Sequence, residues 1–276
     1  MADKIAFIGA GNMAKSLVGG LLRHGTDAAS MIAADPDTNQ RSSMAALGIA
    51  TTESNARAVQ NAAVVVFAVK PQALRDVVRD LAGALDGKQL LISIAAGVPS
   101  PAISRWLRNG LSRDSGIVRC MPNTPALYGA GMTALFANRH VTPQQARTAE
   151  SILAAVGHVI WVDDEAALDA VTALSGSGPA YFFYLMEAMI AAGVELGLDA
   201  ETARTLTLKT AYGAALMANE SEMAPAQLRR NVTSPGGTTE AAMSVLEDGE
   251  CRTLIASALR RAERRSAELA LEFGAE

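Results

Sequence analysis

Ile5-Ala6-Phe7-Ile8-Gly9-Ala10-Gly11-Asn12-Met13-Ala14 decides how the first half of this chain is read. Four apolar residues in a row suit a strand buried on both faces. The G-x-G-x-x-A string after them opens a helical pattern carried by Leu17, Val18, Leu21 and Leu22. By itself the string says little; between a strand and a helix it acquires a mechanism. Gly9 permits the tight turn, Gly11 lets a diphosphate reach the backbone, and Ala14 keeps helix and strand close. The first helix amides lack internal partners and face the phosphates. Gly9, Ala10, Gly11, Asn12, Met13 and Ala14 are therefore expected to bind a dinucleotide.

Working outward, apolar runs recur at 31–35, 64–69, 90–94 and 117–121, with shorter ones at 132–136 and 159–162. Helical patterns lie between them, one carried by Leu74, Val77, Val78, Leu81 and Leu85, another over 143–156. This alternation predicts an α/β fold with a Rossmann-like, doubly wound, mainly parallel sheet. Asp35 falls 24 residues after Gly11, where an acid receives the adenine ribose hydroxyls. Its charge favours NADH and Arg41 nearby favours NADPH, so both cofactors stay open; Asp35-Pro36-Asp37 also reads as a plain solvated turn. Lys70 stands at the carboxyl end of the 64–69 strand, where open sheets bind ligands, and Pro71 ends the pairing.

Beyond residue 162 the strand patterns stop, which divides the chain into a dinucleotide-binding domain (1–163) and an all-helical domain (164–276). A helix over 166–174 is expected to break at Ser175-Gly176-Ser177-Gly178-Pro179. The next, 179–198, is apolar nearly all round but contains Glu187 and Glu195, so it reads as a covered soluble helix and not a membrane span. A bundle this small lacks the helices to cover it, which predicts an interface with a second subunit. Asn231-Val232-Thr233-Ser234-Pro235-Gly236-Gly237-Thr238-Thr239-Glu240 then precedes another helical run. Pro235 is expected near the first turn, with Thr238 or Thr239 as cap. Helix amides beside two glycines, with the Ser234, Thr238 and Thr239 hydroxyls, suit a small carboxylate. The alternative is an ordinary capped helix start.

At 276 residues the chain suggests about two domains, at roughly 150 residues each. Half of it is hydrophobic and only 4% aromatic, so the core is aliphatic. A net charge of −4 argues against nucleic acid or an anionic membrane as partner. Cys120, Cys251, His24, His140 and His158 show no metal-ligand spacing, which predicts neither a bound metal nor a disulfide. Met1-Ala2-Asp3-Lys4 leads straight into a strand with no signal-peptide pattern, so a cytoplasmic location is expected.

With these residues in view, the chain resembles the pyrroline-5-carboxylate reductases over nearly its whole length. The resemblance rests on residues 7–14, on Ala68-Val69-Lys70-Pro71-Gln72, on Ala95-Ala96-Gly97-Val98, and on Arg119-Cys120-Met121-Pro122-Asn123-Thr124-Pro125. Leu174-Ser175-Gly176-Ser177-Gly178-Pro179-Ala180-Tyr181 and the 231–239 stretch are its most specific parts. It implies reduction of the cyclic imine 1-pyrroline-5-carboxylate to L-proline with NADPH or NADH. It also implies an interlocked homodimer made by the helical domain, with five dimers forming a decamer in many relatives. The nucleotide is then expected along Gly9 to Ala14, near Asp35, at Asn55, along Ala68, Val69, Lys70 and Pro71, and at Ala95 and Gly97. Substrate contacts are expected from Asn231, Ser234, Gly237, Thr238, Thr239 and Glu165, with Thr239 bonding the ring nitrogen. Thr238 departs from the alanine that many relatives carry there. The rival readings are a hydroxyacid dehydrogenase, which lacks a positioned Lys or His base here, and a nucleotide sensor, which has no need of the 231–240 loop.

Overall fold

Eight strands form one sheet in the computed structural model, which describes residues 4–108 and 115–274. Met1, Ala2 and Asp3, part of the stretch read for a leader, lie outside the described residues. In chain order the elements are β1 (Ile5–Ile8), α1 (Asn12–Arg23), β2 (Met31–Ala34), α2 (Thr38–Ala45), β3 (Ala50–Thr52), α3 (Asn55–Val59), β4 (Val64–Phe67) and α4 (Pro71–Leu81). There follow β5 (Leu90–Ser93), α5 (Ser100–Leu107), β6 (Ile117–Met121), β7 (Gly131–Ala137), α6 (Pro143–Ala154) and β8 (Gly157–Trp161). The strand order is β3-β2-β1-β4-β5-β6-β7-β8.

The continuous apolar strands have the expected consequence that both sheet faces are covered. Because successive side chains alternate, Phe7, Val66 and Ile92 pack on one face with Leu17, Val18 and Leu21 of α1 and Ile152 and Leu153 of α6. Ile8, Val65 and Leu91 pack on the other with Leu74 and Val78 of α4 and Ile103 and Trp106 of α5. Reversal of strand order between β1 and β4 opens the ligand crevice at their carboxyl ends.

One pairing departs from the parallel pattern. β7 runs antiparallel to β6, with Cys120 opposite Leu135. Residues 122–130 connect them, fewer than the dozen or so a parallel crossover needs. The helix α6 restores a crossover, and β8 is parallel to β7. β3 is short and polar, which is why its sequence carries no strand pattern.

The helical remainder consists of α7 (Ala167–Val171), a π turn (Thr172–Gly176), α8 (Gly178–Glu195), α9 (Ala200–Glu220), α10 (Pro225–Asn231), α11 (Thr238–Asp248) and α12 (Cys251–Gly274). The break expected at 175–179 takes the form of this π turn. Ser177 N donates to the Thr172 carbonyl at 2.8 Å, and Asn123 Nδ2 donates to the Ser175 carbonyl at 3.1 Å. The Met121 side chain occupies the space that a Gly176 side chain would need. Contacts distant in sequence thus hold helical a segment whose glycines favour a loop.

The chain divides into two compact units, Met1–Ser177 with Arg261–Glu276, and Gly178–Arg260. This division differs from a cut at 163/164 because α7 and the end of α12 belong with the sheet. In the second unit Phe182, Phe183, Tyr184, Leu185 and Met189 of α8 are exposed, as are Leu206, Tyr212 and Leu216 of α9. So much apolar surface on one chain marks an interaction face.

Candidate active site

The parallel register brings the nucleotide residues to one edge. Ile8 pairs with Ala34 and with Phe67, and Phe67 pairs with Ser93, so Gly9, Asp35 and Ala68 all follow directly after their strands. Gly9 N donates to the Ala34 carbonyl and Ala68 N to the Ile8 carbonyl, each at 2.8 Å. Asn55 opens α3 just beyond β3, and Lys70 and Pro71 open α4 beyond β4. Ala95 and Gly97 lie in the loop that leaves β5.

The two glycines of the first turn have different roles. Gly9 has φ of 98°, and a Cβ there would lie 2.6 Å from the Ala68 carbonyl oxygen. A side chain is excluded by both conformation and space. Gly11 is the N-cap of α1 in ordinary extended conformation, and no atom lies within 4 Å of where its Cβ would be. No side chain caps α1. An uncapped helix start with open space at the cap glycine fits a diphosphate.

Asp35 is tied to the backbone. Its Oδ2 accepts from Ala10 N at 2.8 Å and its Oδ1 from Asp37 N at 2.9 Å. One carboxylate thus joins the glycine-rich loop to the turn after β2, with a second lone pair on each oxygen for ribose hydroxyls. Arg41 covers the same turn: Nη1 donates to the Asp35 and Pro36 carbonyls at 2.8 Å, and Nη2 to Thr38 Oγ1 at 3.0 Å. Acid and cation therefore share the place where the adenine ribose is expected.

Glu165 is held by the protein. Its Oε1 accepts from Ser100 N at 2.6 Å and from Arg119 Nη1 at 2.9 Å, and its Oε2 accepts from Ser100 Oγ at 2.8 Å. A carboxylate at the first residue of α5 also answers that helix's partial positive charge. Ser100 carries no sequence signal beyond a Pro-Ser-Pro helix start, and Arg119 none beyond its place in the 119–125 stretch. Beside Arg119, Cys120 is buried, and burial pushes its thiol well above the usual range against the opposing pull of Arg119. It is not a nucleophile at neutral pH.

In the second unit, α11 begins at Thr238 with Gly237 as N-cap. Thr238 and Thr239 are therefore the first two helical residues and not caps, and Pro235 stands in the turn before the helix. The cap position falls on a residue without a side chain, so no side chain caps α11. Glu240 reaches back to accept from Gly236 N at 2.7 Å, and Gly237 N donates to the Ser234 carbonyl at 3.0 Å. These bonds shape the loop and leave Ser234, Thr238 and Thr239 exposed around the helix start. Asn231 ends α10, where its Oδ1 accepts from Gln227 Nε2 at 2.7 Å.

Comparison with known proteins places the chain among relatives. Residues 165–269 match a family model described as pyrroline-5-carboxylate reductase dimerisation, and residues 4–97 match one described as NADP oxidoreductase coenzyme F420-dependent. A pyrroline-5-carboxylate reductase of Pseudomonas aeruginosa is 53% identical over 98% of this chain and 98% of its own. The structure of a pyrroline-5-carboxylate reductase from Coxiella burnetii matches with a TM-score of 0.91 at 46% identity, covering 98% of this chain and 99% of that one. Plasmodium falciparum pyrroline carboxylate reductase with NADP bound matches with a TM-score of 0.85 at 28% identity, covering 98% of each.

Proposed function

This chain belongs to the pyrroline-5-carboxylate reductase family, and on that premise we propose how its own residues carry the reaction. The enzyme is an NAD(P)H-dependent oxidoreductase that reduces 1-pyrroline-5-carboxylate to L-proline, the last step of proline biosynthesis. Bound NAD(P)H supplies the hydride to the imine carbon. Gly9 to Ala14 and the α1 amides hold the diphosphate. Asp35 and Asn55 hold the adenosine side, and Ala68 to Pro71, Ala95 and Gly97 line the remainder.

The observation that carries the substrate assignment is the uncapped α11 start with hydroxyls on either side of its glycines. The substrate carboxylate sits on the first α11 amides, where helix charge and N–H groups favour an anion. Ser234 and Thr238 add hydroxyl donors, Gly237 lets the carboxylate approach the backbone, and Asn231 borders the loop. The ring nitrogen takes a proton from water before the carbon is reduced, and Thr239 Oγ1 accepts a bond from that N–H. The electron pair of the C=N bond then ends on that nitrogen, giving the neutral ring amine without a strong side-chain acid. The loop fixes the orientation of the imine carbon, and orientation is a large part of such a rate enhancement. Glu165 sets α5 and Arg119 through its bonds to Ser100 and Arg119, and stands as a less direct candidate for substrate contact.

The matched dimerisation region makes the protein a homo-oligomer. We assign the exposed α8 and α9 faces to a homodimer and take five dimers as the complete decameric particle, which light scattering on purified protein would test. No described helix is long and apolar enough to cross a membrane, and a cytoplasmic location is part of the proposal. The decisive assay is oxidation of NADPH and NADH by purified protein with and without 1-pyrroline-5-carboxylate. Imine-dependent oxidation is expected, and its absence from folded, nucleotide-binding protein would overturn the reading.

A further inference from the structure

The last turns of α12 end on the loop between β5 and α5, one side of the nucleotide edge. Gly97 in that loop has φ of 71°, and a Cβ there would lie 3.1 Å from Leu269 Cβ and 3.6 Å from Phe273 Cδ2. Its missing side chain makes room for a helix, whereas that of Gly11 opens onto space. At the next residue, a Cβ at Gly274 would lie 3.6 Å from Pro99 Cδ. The Arg105 guanidinium of α5 donates to the Gly274 carbonyl. Phe273 packs against the cluster that contains Ala95, Val98, Ala102 and Trp106. Further back, buried Ser266 donates from Oγ to Asp169 Oδ1 at 2.6 Å, fixing α12 to α7. The helix end is thus anchored at two places, and the loop is packed against it.

A dinucleotide crosses the sheet where strand order reverses, with its adenine ribose at the end of β2. In the order β2-β1-β4-β5, its nicotinamide half then falls on the β4–β5 side, beside the loop that α12 supports. We propose that the end of α12 is a strut for this loop, and that Leu269 and Phe273 are positioning residues for the nicotinamide half of the cofactor. Neither residue touches the reacting atoms; both act through the backbone of Ala95 to Val98. The proposal rests on the reductase reading for its turnover measurement but not for its binding measurement.

The test compares full-length wild type with Phe273→Ala, Phe273→Leu and Leu269→Ala. Titrations use NADPH and, as a probe of the adenine half alone, ADP. Phe273→Ala is expected to lower kcat/KM for NADPH about 10- to 100-fold, as a displacement of about 1 Å at reacting groups does. NADPH binding weakens with it, ADP affinity is unchanged, and Phe273→Leu restores most of the loss. Equal weakening of ADP and NADPH would reveal general loosening and overturn the proposal. So would unchanged NADPH affinity in Phe273→Ala protein that melts cooperatively. If that variant does not fold, Leu269→Ala is read instead, with faster amide exchange at residues 95–98 expected and unchanged exchange refuting the strut. Wild type that binds NADPH but never oxidises it on imine addition would sink the reductase reading, while the two binding comparisons would still decide the strut.

Discussion

Replacing Glu165 by alanine should unfold the enzyme more readily before it changes how the enzyme holds substrate. The Arg119 and Glu165 side chains are only 9% and 18% exposed, and the carboxylate also accepts two bonds from Ser100. Removing one partner of a buried ion pair costs about 3–5 kcal/mol, because the other charge stays buried without compensation. The stranded Ser100 donors belong within that range and are not added to it, since groups in one network are not additive. For a chain of this size each kcal/mol moves the melting temperature by roughly 2–4 °C, so the variant should melt roughly 6–20 °C lower. Glu165→Gln keeps the volume and one acceptor oxygen, and its loss should fall at about 1.5–3 kcal/mol, the range for hydrogen bonds to charged groups. Glu165→Ala combined with Arg119→Met should be more stable than Glu165→Ala alone, because the stranded charge is gone. Urea unfolding at one fixed protein concentration measures all four, since oligomerisation makes midpoints concentration-dependent. A Glu165→Ala protein within about 0.5 kcal/mol of wild type, the scatter of an unremarkable surface change, would refute the anchoring role. A raised KM for the imine in that same protein would establish Glu165 as a substrate ligand.

The two glycines of the first turn separate folding from binding. Gly9→Ala places a Cβ 2.6 Å from the Ala68 carbonyl oxygen at φ of 98° and should destabilise by more than the ~1–2 kcal/mol of the left-handed conformation alone, read by urea unfolding. Gly11→Ala meets no atom within 4 Å and should leave stability within about 0.5 kcal/mol, while NADPH affinity measured by titration falls at least about tenfold. Thr239→Ala should lower kcat/KM for the imine by about 10- to 100-fold, the weight of one hydrogen bond to a charged group, and Thr239→Ser should recover most of it. Asp199 caps α9, and its bonds from the Thr202 hydroxyl and then the Thr202 amide hold its carboxyl below the usual range. A depressed folded pKa means that its contribution is present above the unfolded value of about 3.9 and is lost as pH falls through the folded one. Amide exchange at the start of α9 should therefore rise below about pH 4 in wild type. Asp199→Asn, which caps without a charge, should show no such rise.

What could be read from residues alone was whatever short-range order encodes. Phe7, Ile8, Val65, Val66 and Ile92 mark strands buried on both faces because each run is apolar throughout. Gly9 and Gly11 mark a phosphate turn because only glycine suits a strained turn and a close ligand. The 231–240 stretch marks a helix start because two glycines and four hydroxyls precede an amphipathic run. Its exact cap was less legible, since Gly237 and the two threonines compete within three positions and only the path of the backbone chooses. Tertiary structure decided what distant residues do to one another. Glu165 meets Ser100 across 65 positions and Arg119 across 46, so the carboxylate that resemblance offers as a substrate ligand also holds the start of α5. Leu269 and Phe273 look like any helical stripe until α12 closes on Gly97. The π turn at 172–176 forms where glycine composition predicts a break, because Asn123 and Met121 reach it from another element. Periodicity and turn chemistry act within a few residues of chain and can be read along it. Burial, ion pairing and the packing of one helix end on one loop depend on which surfaces meet, and that is settled only when the whole chain has folded.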